Sequence, residues 1–181
     1  AFELAAKNGL TAVEFDIQLT KDNVWILSHD TTLNRMTDSR GKIADSTYFD
    51  LAGCTIDNGA NIEKYQNLKM PSLDDALDCC LENGLSPMIE IKTFNSTGIK
   101  KLVDSIKSHG LESSCQVISF NHDAIDAVRD ADSEIKTVYL VTKLDDEYLQ
   151  QCLDHPDIGV SFKADRKNNS AAVIKKLLNN D

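Results

Sequence analysis

The sequence lacks any apolar run close to the ~18 residues that a membrane-spanning helix requires. It also lacks a block of Lys and Arg, and its formal net charge of −10 argues against nucleic-acid binding. An acidic protein that handles an anionic ligand needs a local positive centre, which is a metal ion or a placed Lys or Arg. The remaining composition, 41% hydrophobic and 27% charged, is that of a globular protein with enough apolar residues for one core.

Cysteine and histidine lack the spacing of a zinc site. The five cysteines are odd in number, which argues against a disulfide framework. The four histidines form no HxH or HExxH pattern, so transition-metal hydrolase chemistry is not favoured. Cys80 fits the apolar face of a helix, and we expect buried free thiols in a reducing compartment such as the cytoplasm.

Strand-like and helix-like segments alternate along the chain, which predicts a parallel α/β sheet as either a barrel or a doubly wound sheet. The clearest helix begins at Ser72, a capping residue with Asp75 as its partner, and ends at Gly84. The expected strands are 11–17, 24–29, 87–92, 115–120, 136–141 and 158–162, and the expected helices are 1–8, 72–83, 98–109, 122–131, 145–154 and 170–179. We expect residues 1–181 to form a single domain.

Residues 31–70 interrupt this alternation. The stretch is polar, contains three glycines and shows no long apolar periodicity. A connection of this length without strong structure is usually functional or a small inserted subdomain. We expect it to form a flap that departs directly from His29. Arg35 lies within it and is a candidate contact for an anionic ligand, with a solvated surface arginine as the alternative.

Polar residues share one face of several predicted strands. Glu14 and Asp16 alternate with apolar residues in VEFDIQLT, and Glu90 and Lys92 do so in PMIEIK. His29 follows the strand in VWILSHD. We expect each of these groups at a strand end, where the catalytic sites of parallel barrels lie.

Three carboxylates that converge repel one another unless a cation joins them. Mg²⁺ and Ca²⁺ prefer oxygen ligands, so a hard divalent cation is the expected partner of Glu14, Asp16 and Glu90. Each residue alone has a simpler explanation, because an E-x-D pair is commonly a solvated strand edge and Lys92 alone is a salt-bridge partner. The joint placement favours a metal-dependent site.

At these residues the chain resembles the glycerophosphodiester phosphodiesterase family, a phospholipase C-like group. The matching pieces are AFELAAKNGLTAVEFDIQLTKDNVWILSHDTTLNRMTD, KMPSLDDAL, MIEIK and VISF. The resemblance implies a TIM barrel with an insertion at 31–70. It implies Ca²⁺ or Mg²⁺ held by Glu14, Asp16 and Glu90, His29 as one of two catalytic histidines, and Lys92 on the phosphate. The implied reaction is hydrolysis of glycerophosphodiesters to sn-glycerol 3-phosphate and an alcohol.

The sequence departs from the family pattern at its start and its end. The His-Arg-Gly strand and its histidine are absent, and about six of eight barrel strands are expected. The opening AFELAAKNG reads as a helix rather than a signal segment. We therefore expect an incomplete barrel, a fragment without activity of its own, and self-association through open strand edges. Two alternatives are a phosphodiesterase acting on lysophospholipid or sphingomyelin headgroups and an inactive barrel remnant with a binding or structural role.

Overall fold

Six β-strands form one sheet in the computed structural model, which describes residues 1–144, 146–163 and 174–176. The strands are β1 (Ala12–Leu19), β2 (Trp25–Leu27), β3 (Ser86–Ile91), β4 (Gln116–Ser119), β5 (Lys136–Val141) and β6 (Gly159–Phe162). Their order across the sheet is β2-β1-β3-β4-β5-β6. From β1 through β6 the neighbours are parallel, as the alternation of strands and helices predicts. Among the described residues the outer strands β2 and β6 do not pair, so these strands do not close a barrel.

Helices precede, join and cover the parallel strands. They are α1 (Phe2–Lys7), α2 (Tyr48–Ala52), α3 (Leu73–Asn83), α4 (Ser96–Ser108), α5 (His122–Ala131) and α6 (Asp146–Asp154). The predicted capping box is present on α3, where the Ser72 hydroxyl accepts from the Asp75 amide and the Asp75 carboxylate accepts from the Ser72 amide. Gly84 ends α3 with a φ of 62°, a left-handed conformation that glycine adopts without a steric penalty.

The second strand runs opposite to the direction that the alternation predicts. β2 pairs antiparallel with β1, and Ile17 lies opposite Leu27. The two strands are joined only by residues 20–24, which is too short for the crossover that a parallel pair needs. The expected strand-end positions are therefore corrected. Glu14 and Asp16 lie inside β1, and His29 follows a returning strand.

The apolar face of the sheet packs against the helices. Ile17, Ile89 and Val117 from three neighbouring strands are fully buried. The helix side chains in the same cluster include Leu77, Cys80, Leu102, Ile106, Ile125 and Val128. Full burial contributes roughly 1.5–3 kcal/mol for each large aliphatic side chain. Since side chains alternate along a strand, this packing leaves the opposite face of β1 and β3 to their polar residues.

Residues 31–70 bury a small apolar cluster of their own. The members are Leu33, Ile43, Leu51, Cys54 and Met70, together with Ile26 of β2. The segment contains only α2 and two short 3₁₀ turns, Ile43–Asp45 and Ile62–Lys64. It closes back onto β2, because the Leu27 amide donates to the Pro71 carbonyl at 2.9 Å. The sequence shows no periodicity in this segment because the buried residues come from turns and loops.

The predicted elements agree with the observed ones to within two residues at each end over the described part of the chain. The helix predicted at 170–179 lies mostly outside the described residues. Only residues 174–176 of this range are described, and these three are helical. All five cysteines are free, and four of them are buried. Among the described helices, none combines the length and the apolarity needed to cross a bilayer.

Candidate active site

Three carboxylates converge on the polar face of β1 and β3. The register of the parallel pair sets Asp16 directly beside Glu90 and Glu14 beside Met88. One carboxylate oxygen from each of Glu14, Asp16 and Glu90 lies within 4.8 Å of the others. The sequence predicted this grouping, and the strand register explains it, since residues two apart on β1 share a face.

Lys92 lies among these carboxylates. Its Nζ donates to Asp16 Oδ1 at 3.0 Å and to Glu90 Oε1 at 2.5 Å. The Lys92 side chain is 20% exposed, and those of Asp16 and Glu90 are 18% and 11% exposed. The four groups together carry three formal negative charges and one positive charge, so the cluster keeps a net negative charge.

The electrostatics of the cluster reflect this excess of negative charge. The pKa of Glu14 is raised above its ordinary value, first by desolvation and then by repulsion from Asp16 and Glu90. Burial by itself would lower the pKa of Lys92. Hydrogen bonds to Glu90 and Asp16 outweigh burial, so the pKa of Lys92 is raised and its charge is held. The repulsion that raises the pKa of Glu14 is relieved by a bound cation, so the cluster favours one.

Backbone contacts hold His29 beside the cluster. The Ser28 amide donates to the Asp16 carbonyl at 3.0 Å, which extends the hairpin by one bond beyond β2. The side-chain amide of Gln18 donates to the His29 carbonyl at 3.2 Å. His29 also lies close enough to Glu14 for Coulombic attraction between them. This attraction opposes the rise in the pKa of Glu14 without cancelling it. Although β2 is antiparallel, it still returns His29 to the polar face of β1.

The His29 side chain is held from its other side. Its Nδ1 lies 3.0 Å from Asp30 Oδ1, and the Arg35 guanidinium makes two hydrogen bonds to the same carboxylate. Arg35 was predicted as a candidate for phosphate contact. In the structure its guanidinium binds Asp30, so Arg35 supports the loop of residues 28–30, here named the histidine loop, in the conformation observed.

A cavity of about 610 Å³ opens beside Glu90 and Lys92. Its other lining residues are Ile91 at the end of β3 and, from the end of β4 to the start of α5, Ser119, Phe120, Asn121, His122 and Asp123. Phe120 is 56% exposed, so an apolar surface lies near the charged cluster. The cavity is large enough for a small polar molecule with one apolar side.

Gln18 and Asp30 contact His29 although the sequence patterns predict no role for either residue. Gln18 is only 1% exposed and continues the i, i+2 pattern of Glu14 and Asp16 along β1. A polar residue on the same face of a strand was the available signal for Gln18. Asp30 follows His29 directly, and its role depends on a contact with Arg35 that spacing alone does not reveal.

The fold and the site define a parallel α/β protein with an acidic, lysine-bridged centre on the polar face of its sheet. Residues 1–177 match the Glycerophosphoryl diester phosphodiesterase family. The chain therefore belongs to this family.

Individual relatives agree with the family match. The chain is 30% identical to Glycerophosphodiester phosphodiesterase 1 of Homo sapiens over 145 residues, covering 76% of this chain and 42% of the human protein. It is 32% identical to the glycerophosphodiester phosphodiesterase of Caldanaerobacter subterraneus over 126 residues, covering 67% of this chain and 51% of the relative. The chain thus spans about half the length of the curated relatives that it matches.

The solved structures confirm the fold. A phosphodiesterase of Oleispira antarctica, solved in complex with the product sn-glycerol-3-phosphate, superposes with a TM-score of 0.84. The match covers 98% of this chain and 72% of that protein at 23% sequence identity. The described sheet is therefore the incomplete form of a barrel that the sequence predicted.

Proposed function

We propose that this chain is part of a phosphoric diester hydrolase that converts glycerophosphodiesters to sn-glycerol 3-phosphate and an alcohol. The convergence of Glu14, Asp16 and Glu90 beside the cavity carries the proposal. Family membership over residues 1–177 supports the same reaction. The product bound to the Oleispira antarctica phosphodiesterase supports sn-glycerol 3-phosphate as the product in this chain also.

The donor set fits a hard divalent cation, Ca²⁺ or Mg²⁺. Glu14, Asp16 and Glu90 supply only oxygen ligands, and their repulsion is what a divalent charge relieves. When bound, such a cation supplies Lewis-acid polarisation of a phosphoryl oxygen and stabilises the charge that develops on it. The three carboxylates are the residues that would hold it.

Lys92 and His29 supply the remaining chemistry in this proposal. Lys92 lines the cavity with a held positive charge, which suits the binding of a phosphate and the charge that grows on its oxygens. His29 is assigned the proton transfer, the role that histidine most often takes in general acid–base catalysis. Two nucleophiles are compatible with these roles. In one route water attacks the phosphorus directly and the alcohol leaves. In the other a glycerol hydroxyl attacks first and expels the alcohol, and water then opens the resulting cyclic phosphate to sn-glycerol 3-phosphate.

We also propose that residues 31–70 form an inserted subdomain that covers the site. The segment leaves the strand pair directly after His29 and Asp30, and it returns beside Leu27. Its small apolar cluster and the contact from Arg35 to Asp30 give it a fixed position at the histidine loop.

The covering role is tested by replacing residues 44–68 with a short Gly/Ser linker. This change should raise KM far more than a substitution elsewhere on the surface, because the segment no longer covers the bound substrate. An unchanged KM would contradict the covering role.

The reaction is tested by following release of glycerol 3-phosphate from glycerophosphocholine with a coupled dehydrogenase assay. The natural full-length protein should show turnover that EDTA removes and Ca²⁺ or Mg²⁺ restores. Glu90→Gln should reduce turnover by at least about 100-fold, a loss typical for removal of one electrostatic group from such a site.

Glu82→Gln is the matched control, because it makes the same chemical change on an exposed turn of α3. It should leave turnover within about twofold of the wild type. A full-length protein with no turnover on any glycerophosphodiester at saturating metal would contradict the proposed function. Full activity in Glu90→Gln would contradict the proposed site.

A further inference from the structure

The Asp30 carboxylate lies between two basic side chains. Its Oδ1 is 3.0 Å from His29 Nδ1 and 2.9 Å from Arg35 Nη2, and its Oδ2 accepts from Arg35 Nε at 2.6 Å. Asp30 therefore links Arg35 of the inserted segment to His29. We propose that Asp30, held by Arg35, is a positioning residue that fixes the proton of neutral His29 on Nδ1 and leaves Nε2 as the proton-transfer atom. The inference rests on the proposed hydrolase function for its consequence in catalysis, and on the structure alone for the tautomer.

The charge state of Asp30 decides which nitrogen of His29 carries the proton. An ionised carboxylate accepts hydrogen bonds and donates none, so the neutral imidazole can bond to it only through a protonated Nδ1. The hydrogen bonds from Arg35, and then from His29, hold the pKa of Asp30 well below its ordinary value. Asp30 therefore stays ionised whenever His29 is neutral, and the tautomer is fixed.

The geometry of Arg35 explains why it suits this task. Its guanidinium engages both carboxylate oxygens, and such a fork fixes the rotation of the carboxylate as well as its charge. The backbone of Arg35 is itself held, because the side-chain amide of Asn58 donates to the Arg35 carbonyl at 2.8 Å. Residues 31–70 thus reach the histidine through a chain of directed contacts.

The backbone of the histidine is fixed separately. Ser28 is bonded to the Asp16 carbonyl, and the buried Gln18 amide is bonded to the His29 carbonyl. With the backbone held by β1, the remaining freedom of His29 is rotation of its ring and the choice of tautomer. Asp30 restricts both the ring rotation and the tautomer. A general acid or base of defined geometry needs this restriction in addition to a fixed backbone.

The tautomer is measured by ¹⁵N NMR of the full-length protein with labelled histidine, above pH 8 where free imidazole is neutral. In the wild type, His29 should show a pyrrole-like Nδ1 and a pyridine-like Nε2. In Asp30→Asn this preference should be lost, because an amide presents both donors and an acceptor. Arg35→Gln should weaken the preference, and Arg35→Lys should restore part of it through charge without the fork.

Two controls accompany the spectra. His109 bonds the Ser105 carbonyl through Nδ1 at 2.7 Å, far from the histidine loop in sequence, and its signals should not change in any variant. Asp57→Asn makes the same substitution at an exposed residue of the inserted segment and should leave the His29 signals as in the wild type. An unchanged amide spectrum elsewhere shows that each variant is folded.

Kinetics supply an independent readout. Asp30→Asn should lower kcat by about 10–100-fold with KM within about threefold, because a mispositioned general acid or base loses part of a contribution of 10²–10⁴. In a His29→Ala background the same substitution should have no further effect, since the two residues act as one unit.

The outcomes separate the two proposals. A wild-type His29 protonated on Nε2, or one whose tautomer is unchanged in Asp30→Asn, overturns the positioning role. A His29 tautomer preference in Arg35→Lys and Arg35→Gln that equals that of the wild type overturns the part assigned to Arg35. Absence of turnover in the wild type, with the Nδ1 tautomer present and sensitive to Asp30, overturns the hydrolase and leaves the positioning contact supported.

Discussion

Replacement of Lys92 by methionine removes the one positive charge that the carboxylate cluster holds among the described residues. Each contact, at 3.0 Å to Asp16 and 2.5 Å to Glu90, is worth roughly 6 kcal/mol of gross Coulomb energy at an effective dielectric of about 20. Desolvation and the partial exposure of all three side chains offset most of that energy. Loss of a fully buried pair costs about 3–5 kcal/mol, and loss of an exposed pair about 0–1 kcal/mol. We expect Lys92→Met to lower the free energy of unfolding by about 2 kcal/mol in metal-free buffer, a value between these limits.

A divalent cation should reduce the deficit. In Lys92→Met no ammonium competes for Asp16 and Glu90, so we expect the cation to bind about tenfold more tightly, which is about 1.4 kcal/mol. In saturating Ca²⁺ or Mg²⁺ the deficit should therefore fall from about 2 to about 0.6 kcal/mol, because ligand binding to the folded state stabilises it.

Urea unfolding followed by tryptophan fluorescence measures this change directly. The protein has a single tryptophan, Trp25, which is 3% exposed and hydrogen-bonded to the Gly98 carbonyl. Lys100→Met is the matched control, because Lys100 forms an exposed i, i+4 pair with Asp104. It should change stability little, with or without metal. A loss of stability in Lys92→Met no larger than that in Lys100→Met, or an equal loss in EDTA and in saturating metal, would refute the role given to Lys92.

Three further predictions concern stability. Gly98→Ala should cost about 1–2 kcal/mol in urea unfolding, because an added Cβ would lie 2.9 Å from Leu19 Cδ2, whereas Gly53→Ala meets only one atom at 3.4 Å and should be nearly neutral. Ser72→Ala should cost about 1 kcal/mol in the same assay because it removes the cap of α3, and a loss under 0.3 kcal/mol would contradict the capping role. Burial raises the pKa of the Cys115 thiol from 9.0 to about 12, so its stabilisation is complete below pH 9 and is lost as the pH rises toward 12. Cys115→Ala should flatten the fall of stability above pH 9 by up to about 1.4 kcal/mol per pH unit, and an unchanged slope in alkaline urea melts would contradict this.

The parallel strands and their helices could be predicted because local signals and tertiary packing agree. The apolar face of α3 repeats with helical spacing, and the Ser72 and Asp75 cap marks its start. Alternation on β1 and β3 predicted which face is polar, and the register then brought Asp16 and Glu90 side by side. The grouping of the carboxylates follows from these patterns alone.

The direction of β2 was misjudged although a signal was present. A connection of residues 20–24 permits only an antiparallel pair, and Asn23, with a φ of 58°, takes the left-handed conformation common in tight turns. The support of His29 by Asp30 and Arg35 was not predictable, because it depends on where an irregular segment places one side chain. The cluster around Leu33 and Leu51 was missed for the same reason, since its burial follows no period.

In the proposed site, Glu14, Asp16 and Glu90 bind one divalent cation. The decisive measurement is isothermal titration of Ca²⁺ and of Mg²⁺ into the metal-free full-length protein. The wild type and Glu82→Gln should bind one cation per chain, whereas Glu14→Gln and Glu90→Gln should lose at least about 30-fold in affinity, or about 2 kcal/mol. Equal binding in the wild type and in both ligand variants, or no binding of either cation to the wild type, would contradict this metal site.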